Sequence, residues 1–111
     1  MDKKQIISQL RDKFKTPPAR SEKDKLYQLQ REFYETMGKA DLFDGEYYDH
    51  INDDNTQRLL NDIEDLSLSE CSTILTFLYR VGVRGSEGRI FEEILDGTIY
   101  NRYLSRICDV F

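Results

Sequence analysis

The sequence predicts an all-α fold, a compact bundle of five to six short helices forming one domain over residues 1–111. Three observations point there. Apolar residues recur at helical spacing along the chain, and no alternating, strand-like run occurs. Helix start and stop signals punctuate it at short intervals. Seven Tyr and six Phe supply bulk for a core although the apolar share is only 39%, below the usual ~45–50%.

In residues 1–14, Ile6, Ile7, Leu10 and Phe14 share one helical face, and Asp2 sits where a carboxylate suits the positive helix end. Thr16-Pro17-Pro18 ends this helix, because proline removes an amide donor and restricts the residue before it. Residues 15–20 are a proline-stiffened linker. Ser21 is expected to cap the second helix, whose stripe is Leu26, Leu29, Phe33 and Met37, flanked by Tyr27 and Tyr34, with Gly38 as a left-handed cap. Asp44-Gly45 signals a turn, and 46–51 is a short helix or an irregular aromatic segment. A third helix is expected over 56–65, capped by Asn55, with Leu59, Leu60 and Ile63 inward.

Ser67-x-x-Glu70 is a capping box, in which each side chain bonds the other's free backbone amide. It opens the most apolar helix, 68–81, with Leu68, Cys71, Ile74, Leu75, Leu78 and Val81 on one face and Phe77 widening it. Gly82, Gly85 and Gly88 interrupt the pattern. Ser86 is expected to cap a short helix carrying Ile90, Phe91, Ile94 and Leu95. Thr98 is expected to cap the last helix, with Ile99, Tyr103, Leu104 and Ile107.

Charge is distributed unevenly. Residues 1–40 carry ten basic and six acidic side chains, residues 41–70 ten acids and only Arg58, and residues 71–111 five of each, for a net charge of −5. A net-negative chain repels a phosphate backbone on average. The basic residues of the first third alternate with acids, as on a solvated helix face. The acidic middle suits docking on a basic partner, imitating a phosphate backbone, or pairing with the chain's own basic third.

No apolar run is long enough to span a bilayer, and the N-terminus lacks the apolar stretch of a secretory signal. Cys71 and Cys108 make no disulfide framework. The expectation is therefore a cytoplasmic protein with two reduced thiols and no membrane partner.

Catalytic and metal chemistry find little footing. The acids at 41–54 do not place glycine and glutamate where a calcium loop needs them. His50 is the one histidine, and the cysteines lack zinc-ligand spacing. Cys71 falls on an apolar face, Cys108 near an exposed end, and neither has an evident base. No phosphate-cradling glycine loop occurs. No enzyme activity, cofactor or metal is expected.

Two groups remain as candidate sites. Tyr47 and Tyr48, near Phe43 and among Asp44, Glu46, Asp49, Asp53, Asp54, Asp62 and Glu64, form an acidic face with the aromatics typical of protein interfaces. Arg80, Arg84 and Arg89 surround a glycine-rich helix start that suits an anion, or simply a helix–helix corner.

Residues 58–108 carry Leu75, Thr76, Arg80, Arg84, Glu87, Gly88, Gly97, Ile99, Leu104, Arg106 and Ile107. This pattern resembles a family of small bacterial and phage-encoded helical proteins of unknown function, departing from it at Gly85, where the family has an aromatic. The resemblance implies an all-α fold and a bacterial or mobile-element origin, and no activity. The functional expectation is a non-enzymatic protein-binding protein. In a phage setting it would be an inhibitor whose acidic surface blocks the basic, nucleic-acid-binding groove of a host protein. The alternative is a small nucleic-acid-binding module using the basic first third with Arg80, Arg84 and Arg89. A homodimer stays open.

Overall fold

The computed structural model describes residues 2–16, 18–19, 21–84 and 97–111, with 81–84 and 97–99 described as backbone alone. The described chain is all-α, as predicted. It comprises α1 (Lys3–Lys13), α2 (Lys23–Lys39), α3 (Tyr47–His50), α4 (Thr56–Asn61), α5 (Leu68–Arg84) and α6 (Gly97–Val110), with a 3-10 turn at Ile63–Asp65 and no strand among these residues. The short helix expected after Ser86, and Arg89 with it, lie outside the described residues.

α1 starts with a capping box: the Gln5 amide donates to Asp2 Oδ1 (2.8 Å) and the Asp2 amide to Gln5 Oε1 (3.1 Å). It buries Ile7 and Leu10 and ends on buried Phe14. It runs antiparallel to α6, since Ser8 meets Cys108 (3.4 Å) while the Asn101 amide group donates to the Arg11 carbonyl (3.2 Å). Cys108 is thus buried, not exposed as expected, because α1 covers the last turn of α6.

α2 begins at Lys23, after Glu22. Ser21 does not cap it, and the Glu22 carboxylate accepts from the Ala19 amide instead. Its predicted stripe of Leu26, Leu29, Phe33 and Met37 is buried. Its end differs from expectation. Gly38 lies within the helix, and the left-handed residue is Asp41, with φ 55°. The Leu42 amide bonds the Met37 carbonyl (2.9 Å) and the Asp41 amide the Gly38 carbonyl (3.1 Å), and Met37 and Leu42 are both buried. These are the paired bonds and apolar contact of a Schellman cap, which more often uses glycine at the left-handed position. Asp41 therefore carries a steric cost and adds a negative charge at the negative helix end. Asp41→Gly is expected to stabilise the protein by about 0.5–1 kcal/mol after allowing for glycine's looser unfolded chain, read as a raised urea midpoint.

The third predicted helix is shorter than expected. α4 stops at Asn61, Asp62 departs from helical geometry, and a separate 3-10 turn carries Ile63 inward. Leu60, expected inside, is exposed. The Ser67–Glu70 capping box forms as predicted, with bonds of 3.0 and 3.1 Å. α5 extends through Gly82 to Arg84, and α6 already includes Gly97, so Thr98 is not its cap.

α5 and α6 form the centre. α6 packs on α1, α5 and the 3-10 turn, while α5 carries α3 and α4 on another side. Cys71, Ile74, Leu75, Tyr103, Leu104 and Ile107 are essentially sealed from solvent. Phe33 is the aromatic hub: Phe14, Phe43, Tyr79 and Tyr100 all lie within 6.5 Å of it, centroid to centroid. The radius of gyration, 13.2 Å, is that of a folded chain of this length.

Candidate interaction surface

The acidic segment is held on α5 by a row of hydroxyls. Ser72, Thr73 and Thr76 follow one another at helical spacing and face the incoming chain. The Ser72 hydroxyl donates to the Leu42 carbonyl, the Thr73 hydroxyl to Asp44 Oδ2 (2.6 Å), and the Asp44 amide to Thr76 Oγ1 (2.9 Å). Thr73 and Thr76 are buried, and a buried hydroxyl needs such a partner.

Asp44 is consequently not an exposed acid of the face. Its side chain is 15% exposed, and its Oδ2 also takes His50 Nδ1 (2.7 Å) while Oδ1 accepts from the Glu46 amide (3.0 Å). Burial alone would raise its pKa. The bonds from Thr73, His50 and the Glu46 amide outweigh that and hold the carboxyl below the ordinary carboxylate range. The bond and charge of Asp44 in turn push His50 above its ordinary value.

The next turn is stapled by two asparagines. Asn52 Oδ1 accepts from the amides of Asp54 (2.9 Å) and Asn55 (3.1 Å), Asn55 Oδ1 accepts from the Asn52 amide (2.9 Å), and Asn55 Nδ2 donates to the His50 carbonyl (2.8 Å). Asn55 precedes α4 as predicted, but its side chain reaches back to Asn52 and bonds no amide of the helix. The staple lifts Asp53 and Asp54 to the crest of the turn, both exposed.

Seven predicted site residues therefore share one continuous strip, 44–54, between the hydroxyl row and the start of α4. Glu46, Tyr48, Asp49, Asp53 and Asp54 face solvent, and Tyr48 is 68% exposed. Tyr47 is half-buried, its ring 6.2 Å from Phe77 and edge-on to Tyr48 at 5.6 Å. Phe43 belongs elsewhere, edge-on to Phe33 and tilted against Tyr34 and Tyr79.

Asp62 and Glu64 lie beyond the far end of α4. Asp62 is exposed, whereas Glu64 is engaged by Arg102 of α6 through bonds of 2.9–3.1 Å. Glu70 is held by both guanidinium nitrogens of Arg58. Among the described residues, the acidic segment thus finds its cations in Arg58, Arg102 and His50, and no ion pair joins it to the basic first third. Arg80 is exposed on α5. Arg84 ends that helix with its side chain outside the described residues, so the three-arginine cluster is not described as a unit.

Beside His50 a cavity of 140 Å³ is lined by Asn55, Leu59, Ser69, Glu70 and Thr73. The carboxylate–imidazole pair resembles the orienting half of a catalytic constellation, but the Thr73 hydroxyl donates to Asp44 and does not face an imidazole base. Cys71 sits in the core, where burial pushes its thiol up to about 11. That is the environment of an inert thiol.

The Arg58 bond, then the Ser67 amide, bring Glu70 down to about 2 from 4.5. A lowered folded-state value means that this stabilisation is present above pH 4.5 and is lost as pH falls toward 2. Glu70→Gln is expected to cost about 1 kcal/mol at neutral pH and to flatten the acid limb of a stability–pH profile over that window. The measurement is urea unfolding at a series of pH values.

The hydroxyl row and the Asp44–His50 pair were not anticipated from the sequence. The available signal was Ser69, Ser72, Thr73 and Thr76, a polar stripe on the most apolar helix. No protein-family model matches this chain, nor does any curated protein or solved structure.

Proposed function

We propose that the protein is a non-enzymatic binding protein that docks its acidic face on a basic surface of another protein. The observation that carries this reading is the solvent-facing set of Glu46, Asp49, Asp53 and Asp54 around Tyr48, with no ion pair to any of these four acids among the described residues. Tyrosine offers a large contact area at low entropic cost, and the surrounding charge speeds encounter with a basic partner. The stapled turn holds Asp53 and Asp54, and the hydroxyl row fixes the start of the strip at Asp44, which lowers the ordering cost of binding. In the phage or mobile-element setting implied by the resemblance of residues 58–108, the concrete form is an inhibitor that occupies a host protein's nucleic-acid groove.

The nucleic-acid-binding alternative rests on Arg80, Arg84 and Arg89 and on the basic first third. There Arg11 and Lys15 pair with Asp12, Lys13 with Glu32, and Lys25 with Glu22. That reduces the positive charge left for phosphates and favours the acidic face.

The test is a pull-down from cell lysate with nuclease, at low and high salt, using wild type and a four-site variant (Glu46→Lys, Asp49→Lys, Asp53→Lys, Asp54→Lys). The expected result is a nuclease-resistant protein, retained by wild type at low salt, released at high salt, and displaced by added duplex DNA. Its capture should fall at least tenfold with the variant. Equal capture by the variant overturns the acidic-face reading, and nuclease-sensitive capture replaces it with the nucleic-acid module.

A further inference from the structure

We infer that the His50–Asp44–Thr73 clasp is a pH-responsive fastener for α3: a charged imidazole holds this helix tightly against α5, and loss of its proton loosens it. The inference concerns the mobility of α3 and does not depend on what the acidic face binds.

α3 has little else to hold it. It is a single turn of four residues with no buried residue, and a helix that short has no stability of its own in water. Its attachments among the described residues are the half-buried Tyr47 ring on Phe77, the partly buried Ile51 that follows it, the Asn55 bond to the His50 carbonyl, and the clasp. Within the clasp, Asp44 is largely shielded whereas the His50 side chain is 52% exposed. Protons therefore reach the imidazole, and the carboxylate feels the change.

With His50 charged, the anion and cation at 2.7 Å compensate each other. With His50 neutral, Nδ1–H still donates to Asp44. The carboxylate is then a half-buried anion held only by neutral donors: the imidazole, the Thr73 hydroxyl and the Glu46 amide. The bond stays charge-assisted in both states because the carboxylate is ionised, and what goes with the proton is the Coulomb attraction between imidazolium and carboxylate, which is small at so exposed a ring. The change is thus a loosening by a modest factor and not a release.

The charges around the ring favour its charged form. Asp44, Glu46 and Asp49 act on it from its own segment. From α5, Glu70 shares its cavity, already neutralised by Arg58 of α4. No other charged group lines that cavity among the described residues. A value raised above the ordinary 6.5 means that the contribution is complete below pH 6.5 and disappears as pH rises through the folded-state value.

The experiment is amide hydrogen exchange at a series of pH values from 5.5 to 8.5, corrected for intrinsic exchange rates, with the His50 ring protons titrated by NMR on the same sample. Amides 47–51 are expected to lose protection roughly two- to fivefold across the range, with the midpoint of the His50 titration, while α6 amides do not change. His50→Gln should abolish the step. Thr73→Val should lower α3 protection at every pH but keep the step. A step that persists in His50→Gln overturns the inference. So does its absence in wild type, including the case in which amides 47–51 are unprotected throughout.

Discussion

Phe33→Ala is expected to cost about 3–5 kcal/mol, a large part of the roughly 5–15 kcal/mol that holds a domain of this size together. The reason is position as much as volume. Phe33 is 2% exposed and is the ring that Phe14 of the α1 end, Tyr100 of α6, Tyr79 of α5 and Phe43 of the following loop all approach. Edge-to-face pairs of this kind add to simple area burial. Removing the ring leaves a void bordered by four separate segments, which cannot all collapse into it. Phe33→Leu, which keeps most of the volume, should recover more than half of the loss. Urea unfolding of both variants measures this, and a Phe33→Ala cost below about 1.5 kcal/mol would show that the surrounding rings repack freely.

Tyr103→Phe should cost about 1–3 kcal/mol although it removes a single oxygen. The Tyr103 hydroxyl donates to the Leu59 carbonyl at 2.7 Å in a buried setting. Leu59 belongs to the last turn of α4, and last-turn carbonyls lack partners within the helix. Burial pushes the Tyr103 phenol well above its ordinary value, so it stays a donor at any pH at which the protein is handled. Without it the carbonyl is buried and unsatisfied. The loss should appear in the urea midpoint with an unchanged dependence on denaturant, because the ring still fills its site.

Much of this arrangement was legible from sequence. The α2 stripe, the capping box before α5 and the apolar face of α6 follow from spacing that is local to each helix. What escaped prediction depends on distant partners. The turn signal at Asp44-Gly45 does not say which way the carboxylate points, and a hydroxyl 29 positions away draws Asp44 inward. Cys108 lies in the last turn of α6, and it is buried because α1 covers it from about 100 positions away. The end of α2 was misplaced for a local reason: glycine is the usual left-handed residue, so Gly38 drew the assignment that belongs to Asp41. Leu60 faces solvent because α4 turns Leu59 inward, and the chain leaves helical geometry at Asp62 before Ile63 is buried. On the face itself, the exposed members Glu46, Tyr48, Asp49, Asp53 and Asp54 were identified from composition. The separation of Glu64, drawn off by Arg102, was not.

The antiparallel pairing of α1 with α6 sets an order of events during synthesis. Ile7, Leu10 and Phe14 leave the ribosome well before α6, which supplies much of the surface that covers them. A contact such as Ser8 to Cys108 spans 100 positions, so closing it carries a high loop-closure cost. Until α6 emerges, the apolar face of α1 has only α2 to pack on, and the surface left open is the kind that chaperones bind. A stop codon placed before α6 would leave α1 without much of its cover, because the later helix is the lid for the earlier one.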